Sequence, residues 1–461
     1  MRSVSGLRGI VGADLVPSVV TRYAEAFGRY VAGRGGRTVG LARDSRESGP
    51  AFVAAAAAGL VAAGMDVVDL GLVPTPTAQL AVEFLGRDGA GQGLDAGIVV
   101  TASHNPVEWN ALKFVGPGGR FLAKAEAEAF FALVDAGAGA GGGGSRLAPA
   151  PGRVRRDAGG VPLHLERVLG LRWLDLGAIR ARRFRVALDC VRGAGATIMP
   201  ALLEALGCEV RGINLETDGR FPRAPEPIPE HLGELGALVR ESGSDVGMAV
   251  DPDVDRLALV DETGRPIGED YTLAFAVRAV LPHRPGPVVT NLSTSLVVDD
   301  AARAHGITVE RAPVGEANVV ERMAARTATI GGEGNGGVIL PEVHLGRDAP
   351  VAATLALALL ASSGGAVSAL VASAPRYSIV KAKLPRPGGP LDAAYDRLLG
   401  ALPGAAADRQ DGLRLALADR WMHVRPSGTE PVVRIIAEAP SRREAEALVE
   451  RGRAALAVTG G

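Results

Sequence analysis

The chain has 461 residues, which is too long for one hydrophobic core and predicts three or four domains. Its 50 lysines and arginines nearly balance its 51 aspartates and glutamates, and the net charge of −1 argues against nucleic acids or anionic membranes as general partners. The two cysteines, Cys190 and Cys208, are too few for a disulfide framework and indicate a reducing compartment.

No targeting or membrane segment is predicted. The chain begins with MRSVSGLRGIVGADLV, which lacks the apolar core and cleavage site of a secretory signal, so we expect a cytoplasmic protein. The segment from Ala349 to Pro375 is uncharged and long enough to span a membrane. A Ser-Ser-Gly-Gly sequence interrupts it at 362–365, and its alanine-rich flanks predict two buried helices joined by a turn.

Apolar, β-branched runs alternate with alanine- and leucine-rich helical segments along most of the chain, beginning with RTVGLARD, the helical run 51–63 and MDVVDLG. This alternation predicts α/β units with a largely parallel sheet. The Gly/Ala/Ser/Pro-rich stretch from Ala136 to Gly152 is the predicted linker at which the first domain ends. Further boundaries follow near Gly264 and within SAPRYSIVKAKLPRPGGP, after which the pattern becomes strand, loop, strand and charged helix. The predicted domains are residues 1–150, 151–262, 263–372 and 373–461.

Four loops carry candidate functional side chains, and the first is TASHNP, which follows the apolar run DAGIVV. It places Ser103 and His104 at the carboxyl edge of a predicted sheet, where α/β proteins bind ligands. A purely local turn, in which Ser103 and Asn105 bond the backbone before Pro106, is an equal alternative. A serine hydrolase is disfavoured, because there is no G-x-S-x-G motif and His104 is badly placed to act as base for its own neighbour.

The second loop, DPDVDR, follows VGMAV and contains Asp251, Asp253 and Asp255. In an extended segment these alternate side chains share one side, where three carboxylates would repel each other without a cation. Such oxygen ligands suit Mg²⁺, with positions left open for phosphate or water. An EF-hand is rejected because Arg256 stands where its glycine is needed, and a solvated acidic turn without metal remains the alternative.

The third and fourth loops offer groups for a sugar and a phosphate. GGEGNGG, 331–337, sets Glu333 and Asn335 among glycines whose backbone can approach a ligand closely. RPSGTEP, 425–431, combines a guanidinium, two hydroxyls and a backbone that can form an amide nest. Its candidate phosphate ligands are Arg425, Ser427, Gly428 and Thr429. Taken alone, each of these two loops would be interpreted as an ordinary turn.

In this order, the four loops resemble the phosphoserine, metal, sugar and phosphate loops of the α-D-phosphohexomutase superfamily. SGLRGIVG, RDSRESG, GLVPTPT, DGRFPRAPEP and PVGEANV are similar to further segments of that family, so the resemblance covers nearly the whole chain. It implies an α/β fold of four domains, in which three similar mixed α/β domains precede a smaller α+β C-terminal domain. The active site is expected in a central cleft between them.

The resemblance also implies the chemistry. Ser103 is expected to carry the phosphoryl group as phosphoserine, and one Mg²⁺ per chain is expected beside it. The cations near the phosphoryl group would stabilise its equatorial oxygens, and either Lys113 or His104 would move the proton of the sugar hydroxyl. The expected catalytic residues are Ser103, His104, Lys113, Arg8 and Arg256; the metal ligands are Ser103, Asp251, Asp253 and Asp255; the substrate-binding residues are Glu333, Asn335, Arg425, Ser427, Gly428 and Thr429.

The expected reaction interconverts a hexose 6-phosphate and a hexose 1-phosphate through a 1,6-bisphosphate that turns around in the site. Glucosamine 6-phosphate is the preferred substrate, because SVSGLRGIVG and RPSGTEP are most similar to phosphoglucosamine mutases. GEGNGGVILPE also resembles phosphomannomutase/phosphoglucomutase members, which is the alternative, and a hydrolase or a non-catalytic sugar-phosphate binder is disfavoured. Glucose or glucosamine 1,6-bisphosphate is the expected activator, and the protein is expected to be a monomer or a homodimer.

Three departures from the family pattern stand out. Pro252 and Val254 lie inside the metal loop, where many members have glycines. Asn335 and Gly337 stand where many relatives have serine and histidine, and the sequence leaves open whether His344 replaces that histidine. PEP at 225–227 stands where an asparagine between prolines is common. We expect these differences to affect substrate preference more than reaction class.

Overall fold

A computed structural model of the chain describes residues 2–3, 6–85, 93–139, 148, 150–386, 391–427 and 431–457. Within these residues, four sheets follow one another along the chain. The first three are mixed sheets with helices, and the last is antiparallel. The predicted α/β fold with an α+β C-terminal domain is therefore confirmed. The exact domain boundaries stay predictions.

The first domain is built on a seven-stranded sheet of order β1-β2-β6-β5-β3-β4-β7, with the strands β1 (Arg2–Ser3), β2 (Gly6–Ile10), β3 (Thr38–Arg43), β4 (Asp66–Leu72), β5 (Ala96–Val100), β6 (Trp109–Val115) and β7 (Val154–Arg156). Its helices are α1 (Pro17–Ala32), α2 (Gly49–Ala62), α3 (Thr75–Phe84) and α4 (Lys124–Gly139). The β5 strand is buried along its whole length, as its unbroken apolar sequence AGIVV requires. At Gly59 a Cβ would lie 2.3 Å from the carbonyl of Thr21, so glycine permits the close packing of α2 on α1.

The predicted linker, Ala136 to Gly152, is helical at its start, because α4 extends to Gly139. Residues 140–147 and 149 lie outside the described residues. After them, the Gly152 amide donates to the Val61 carbonyl at 3.3 Å, and β7 pairs in parallel with β4. The first sheet thus continues beyond residue 150.

The second domain has a four-stranded sheet of order β11-β10-β8-β9, formed by β8 (Arg185–Asp189), β9 (Glu209–Ile213), β10 (Val246–Val250) and β11 (Leu257–Val260). Its helices are α5 (Gly160–Leu169), α6 (Leu176–Arg182), α7 (Met199–Ala205) and α8 (Gly233–Ser242). The buried strand β10 ends at Val250, so the metal loop begins at the carboxyl end of a strand that runs parallel to β8.

The third domain has strands in the order β13-β12-β14-β15, with β12 (Val288–Asn291), β13 (Val309–Ala312), β14 (Ile330–Glu333) and β15 (Gly337–Ile339). Its helices are α9 (Asp270–Val280), α10 (Leu296–Arg303), α11 (Glu316–Arg326), α12 (Ala349–Ser363) and α13 (Val367–Ala372). The last two confirm the prediction of paired helices in the uncharged segment. No helix in the described part of the chain combines the length and apolar character needed to cross a membrane.

The fourth domain has an antiparallel sheet of order β16-β20-β19-β18-β17, formed by β16 (Ser378–Pro385), β17 (Ala406–Asp408), β18 (Leu413–Ala416), β19 (Trp421–Pro426) and β20 (Val432–Ala439). Its helices are α14 (Asp392–Ala401) and α15 (Arg442–Ala457). This domain has a hydrophobic core of its own, whereas the second and third domains share one continuous core. The sheet that carries Arg425 is therefore a separate packing unit.

Candidate active site

Ser103 lies in the loop between β5 and β6 and is buried, with a left-handed backbone at φ 50°. A residue other than glycine holds this conformation only where its surroundings enforce it. The buried guanidinium of Arg46 does so by donating to four carbonyls of the loop, at 2.6–2.8 Å, those of Ser103, Asn105, Pro106 and Trp109. The loop that presents the serine hydroxyl is therefore fixed by a side chain from the segment between β3 and α2.

The three aspartates of the second loop are all buried, and one carboxylate oxygen from each lies within 4.8 Å of the others. The extended segment expected from the sequence is wrong, because residues 252–255 form a turn in which Val254 has φ 66°. The side chains converge because the chain turns back and not because they alternate along a strand. The β-branched Val254 is held in this conformation, and its side chain is completely buried.

Ser103 and Lys113 make direct contact with the triad. The Ser103 hydroxyl donates to Asp251 Oδ2 at 2.8 Å, and the Lys113 ammonium donates to Asp253 Oδ2 at 2.7 Å. Lys113 also lies 3.7 Å from Asp255 Oδ2. The Oδ1 atoms of Asp253 and Asp255 are buried and make no hydrogen bond within the described residues. Because such atoms are costly to bury without a partner, this donor set fits a divalent cation with a preference for oxygen ligands.

The charges of the triad shift one another's protonation. Burial, together with Asp255 and Asp253, raises the pKa of Asp251 well above its ordinary value. Burial acts in the same direction on Asp253, but the adjacent ammonium of Lys113 holds the pKa of that carboxyl below its ordinary value. Burial alone would lower the pKa of Lys113, but the two neighbouring aspartates raise it. Lys113 is thus a stable cation beside the serine.

Three further predicted residues border the serine loop. Arg8, on β2, donates to Asn105 Oδ1 at 2.6 Å, and Arg256 pairs with Glu226 at 3.1 Å. The Nδ1 atom of His104 lies 3.4 Å from the Ser103 hydroxyl. Burial, reinforced by the charges of Arg256 and Arg8, lowers the pKa of His104 well below its ordinary value.

The sugar loop begins at the end of β14, where Glu333 is buried. Its Oε1 accepts from the Asn291 amide at 2.8 Å and from the Gly315 backbone at 3.1 Å. Its Oε2 accepts from Arg347 at 2.9 Å. Asn335 uses its own Oδ1 to accept from the Gly337 amide at 3.2 Å, so its side chain also shapes the loop.

His344 is not part of this loop. Its Nε2 donates to Asp348 Oδ2 at 2.9 Å, and the same oxygen accepts from His164 at 2.8 Å. Both rings are buried. The question raised by the missing family histidine is therefore not answered by His344.

The predicted phosphate loop, 425–431, begins with the last two residues of β19 in the fourth domain. Arg425 forms an ion pair with Asp411 at 2.7 Å, and Asp411 also accepts from the Val314 amide of the third domain at 3.1 Å. The Ser427 amide donates to the Val432 carbonyl at 2.8 Å. The other two predicted ligands, Gly428 and Thr429, lie outside the described residues.

The structure joins Ser103, Lys113, the three aspartates and Glu333 into one contact network. The first domain contributes Ser103 and Lys113, the second contributes the triad, and the third contributes Glu333. Arg347 connects Glu333 to the triad, because it also donates to Asp255 at 2.6 Å. Several of its residues were not predicted: Arg46, Thr75, Glu316, Arg347 and Asp411. The first three lie in RDSRESG, GLVPTPT and PVGEANV, which the sequence marked only as family-like segments, whereas Arg347 and Asp411 carried no signal.

Comparison with protein families assigns nearly the whole chain. Residues 2–138, 164–264 and 268–377 match the phosphoglucomutase/phosphomannomutase alpha/beta/alpha domains I, II and III. Residues 380–455 match the C-terminal domain of the same family.

Individual relatives agree with this assignment. A "Probable phosphoglucosamine mutase" of Methanopyrus kandleri is 37% identical over 96% of this chain and 95% of its own length. A "Phosphoglucomutase/phosphomannomutase" of Thermococcus kodakarensis is 36% identical over 97% of this chain and 96% of its own. The crystal structure of a phosphoglucomutase/phosphomannomutase family protein from Burkholderia thailandensis has a TM-score of 0.85 at 29% identity and covers 99% of this chain and 98% of its own. The chain belongs to the phosphoglucomutase/phosphomannomutase family and is a phosphohexomutase, an enzyme that moves phosphate within a sugar.

Proposed function

We propose that the enzyme interconverts a hexose 6-phosphate and a hexose 1-phosphate by way of a phosphoserine at Ser103 and a 1,6-bisphosphate. The observation that carries the proposal is the contact between the Ser103 hydroxyl and Asp251, 2.8 Å apart, inside a triad in which two buried carboxylate oxygens make no hydrogen bond within the described residues. A nucleophilic oxygen is thereby held at the edge of a cation site, with Lys113 as a further positive charge.

In the first transfer, the P–O bond to Ser103 Oγ breaks and a P–O bond to the free hydroxyl of the sugar phosphate forms. The hydroxyl proton passes to a base of the enzyme, and a proton returns to Ser103 Oγ as it leaves; His104, whose lowered pKa keeps its imidazole neutral beside the serine, is the candidate for this role, whereas Lys113 acts through its positive charge. The positive groups of Arg8, Arg256 and Lys113 stabilise the negative charge on the transferring group.

The ligands proposed for Mg²⁺ are Asp251, Asp253, Asp255 and the phosphorylated Ser103. When bound, the ion supplies positive charge that stabilises the transferring phosphoryl oxygens. The three aspartates hold that charge in a buried setting, where its effect is greater than in water. Thr75 contributes a hydrogen bond of 2.7 Å to Asp253 Oδ2 and so helps to orient this ligand.

In the second transfer, the bisphosphate presents its other phosphate to Ser103, so the sugar must turn around between the two steps. Glu333 and Asn335 are the proposed ligands of hydroxyls in the middle of the ring, in both orientations of the sugar. Arg425 and Ser427, together with the predicted ligands Gly428 and Thr429, hold the phosphate that is not reacting. Because this cradle lies in a separate packing unit, movement of the fourth domain would admit the sugar and exclude water afterwards.

Glucosamine 6-phosphate is the proposed substrate, with glucosamine 1-phosphate as its product. The motifs SVSGLRGIVG and RPSGTEP support this choice, as does the name of the relative from Methanopyrus kandleri. GEGNGGVILPE and the relative from Thermococcus kodakarensis support phosphomannomutase/phosphoglucomutase activity instead. Measuring kcat/KM for the 1-phosphates of glucosamine, glucose and mannose side by side decides between them, and glucosamine 1-phosphate is expected to rank first.

Mass analysis of the purified protein tests the reaction course. We expect a phosphate on the peptide that contains Ser103, or its appearance after incubation with glucose or glucosamine 1,6-bisphosphate and Mg²⁺. An unmodified serine that stays inert toward bisphosphate would contradict the proposal and favour a non-catalytic binder. Release of inorganic phosphate as fast as isomer formation would indicate a hydrolase.

A further inference from the structure

The missing family histidine has a structural explanation at Gly337, the first residue of β15. A Cβ at this position would lie 2.3 Å from Arg347 Cδ and 2.9 Å from Arg347 Cγ. Real Cβ atoms do not approach carbon atoms so closely, because their van der Waals contact lies near 3.5–4.0 Å. The stem of Arg347 therefore occupies the space that any side chain at position 337 would need.

The guanidinium of Arg347 is buried and contacts three carboxylates. It donates to Asp255 Oδ2 at 2.6 Å, to Glu333 Oε2 at 2.9 Å and to Glu316 Oε2 at 3.1 Å. The planar fork of arginine allows one rigid group to hold carboxylates in different directions, which the single ammonium of lysine cannot do. Arg347 thus connects a residue of the cation triad to the carboxylate of the sugar loop.

This contact also orients Asp255. With Oδ2 held by Arg347, the other oxygen, Oδ1, is the one that makes no hydrogen bond within the described residues. Five buried carboxylates, those of Asp251, Asp253, Asp255, Glu316 and Glu333, are in ion-pair or hydrogen-bond contact with the triad network, and three cations, Lys113, Arg256 and Arg347, pair with them.

We propose that Arg347 is a positioning residue for phosphoryl transfer, which aligns the metal ligand Asp255 with the sugar-binding Glu333. Gly337 is required because the absence of a side chain there leaves room for the stem of Arg347. The proposal rests on the proposed function in so far as Glu333 binds the sugar. In this chain, Arg347, which directly precedes the N-cap of α12, replaces the side chain that many relatives carry on the sugar loop, and it links the sugar loop rigidly to the metal loop.

The main test is Arg347→Lys, which preserves the positive charge and removes the fork. Isothermal titration of EDTA-treated protein with MgCl₂, without any sugar, is expected to show about a tenfold weaker Kd, the usual effect of losing a partner that orients a metal ligand. Steady-state kinetics with the best of the three sugar 1-phosphates is expected to show a kcat/KM reduced about 100-fold, with a raised KM, because both the metal ligand and the sugar carboxylate lose their alignment.

Gly337→Ala is an independent test, because position 337 contacts neither the triad nor Glu333 through a side chain of its own. The added methyl must displace Arg347, so the variant is expected to weaken Mg²⁺ binding in the same way as Arg347→Lys. Two matched controls should leave the Mg²⁺ affinity unchanged: Arg322→Lys, at an arginine of α11 that bonds Gln410, and Gly233→Ala, where a Cβ meets nothing within 4 Å.

A purely structural role predicts a different result. Arg347→Lys would then unfold at a lower temperature while its Mg²⁺ Kd and kcat/KM stayed at the wild-type values, and this outcome overturns the proposal. Normal Mg²⁺ affinity in Gly337→Ala would overturn the part that concerns glycine. If the wild-type protein fails to isomerise any sugar phosphate, the proposed function is wrong, and the magnesium titration still decides whether Arg347 positions Asp255.

Discussion

Two buried carboxylate centres lie where domains meet, and they differ in how their oxygens are satisfied. In the Asp348 centre, formed by Thr77, His164, His344 and Asp348, the carboxylate accepts from both imidazoles through Oδ2 and from the Val351 amide through Oδ1. In the aspartate triad, Asp253 and Asp255 each retain an oxygen that makes no hydrogen bond in the described part of the chain. Burial and charge are common to both centres, so the feature that differs is the presence, in the triad, of carboxylate oxygens without a hydrogen bond, which leaves them available to a ligand.

The largest effect is expected from Ser103→Ala. Removing the oxygen that accepts the phosphoryl group should reduce isomerisation at least about a thousandfold, even with ample sugar bisphosphate present. The triad remains, so Mg²⁺ should still raise the unfolding temperature of the variant. Kinetics and thermal denaturation measure the two effects separately. Undiminished isomerisation in this variant would remove the chemical basis of the proposed function.

The comparison between the two centres is tested directly by Asp251→Asn and Asp348→Asn. Asp348→Asn leaves two buried imidazole donors with one carboxylate oxygen fewer and should destabilise the protein by about 3 kcal/mol, measured as a lower midpoint in urea. Asp251→Asn removes a carboxyl whose pKa is raised by burial and by its neighbours, so the metal-free protein should lose no stability.

Magnesium separates these two variants further. Saturating Mg²⁺ should stabilise the wild type and Asp348→Asn by about 3 kcal/mol at a hundred times its Kd, but should have little effect on Asp251→Asn. If Mg²⁺ stabilised Asp251→Asn as strongly as the wild type, the triad would not be the metal site. If Asp348→Asn were as stable as the wild type, the Asp348 centre would have no structural role.

A smaller effect is expected from Arg46→Lys. The lysine cannot donate to the four carbonyls of the serine loop together, so Ser103 should lose its left-handed backbone and kcat should fall about 100-fold. The KM for the sugar phosphate should change little, since the Arg46 side chain bonds Asp44 and the serine loop and none of the predicted substrate ligands among the described residues. A raised KM at normal kcat would show that Arg46 acts on binding and not on the nucleophile.

The smallest effect concerns pH and the contact between the third and fourth domains. His423 is buried there, and its ring accepts from the Ser293 hydroxyl at 2.8 Å and donates to the Asp411 carbonyl at 2.6 Å. Burial lowers its pKa from 6.5 to about 4. The unfolded chain then binds the proton more readily than the folded protein. The contribution of His423 to the free energy of unfolding is therefore fully present above pH 6.5 and decreases as the pH falls toward 4, by about 1.5 kcal/mol between pH 6.5 and 5.

His423→Gln should remove that dependence. Asp270 acts with the opposite sign, because burial raises its pKa to about 7 and the protein loses stability as the pH rises from 3.8 to about 7. Thermal denaturation should therefore show that the stability difference between the wild type and His423→Gln grows from pH 5 to 6.5. Asp270→Asn is the matched control. A difference that stays constant with pH would contradict the assignment to His423.

Much of the fold was predictable because its signals are local. Unbroken apolar runs such as AGIVV become buried strands, and the two helices around Ser362 and Ser363 follow from composition and a turn sequence. The candidate linker was predicted less well, since α4 continues through the alanines and glycines at 136–139. Composition marks where a chain is able to bend, but packing decides whether it does.

The sequence by itself determined the serine, the three aspartates and the family, because these groups lie within loops of a few residues whose spacing is preserved in the folded chain. The family resemblance also placed Lys113 near the phosphoryl group, but only the tertiary structure decided which cation pairs with which carboxylate. Arg347 meets Asp255 across 92 residues, and Lys113 meets Asp253 across 140. Such contacts depend on how separate domains pack and leave no periodicity or motif in the chain. The turn at Val254 likewise depends on packing, since an isolated valine would avoid a positive φ.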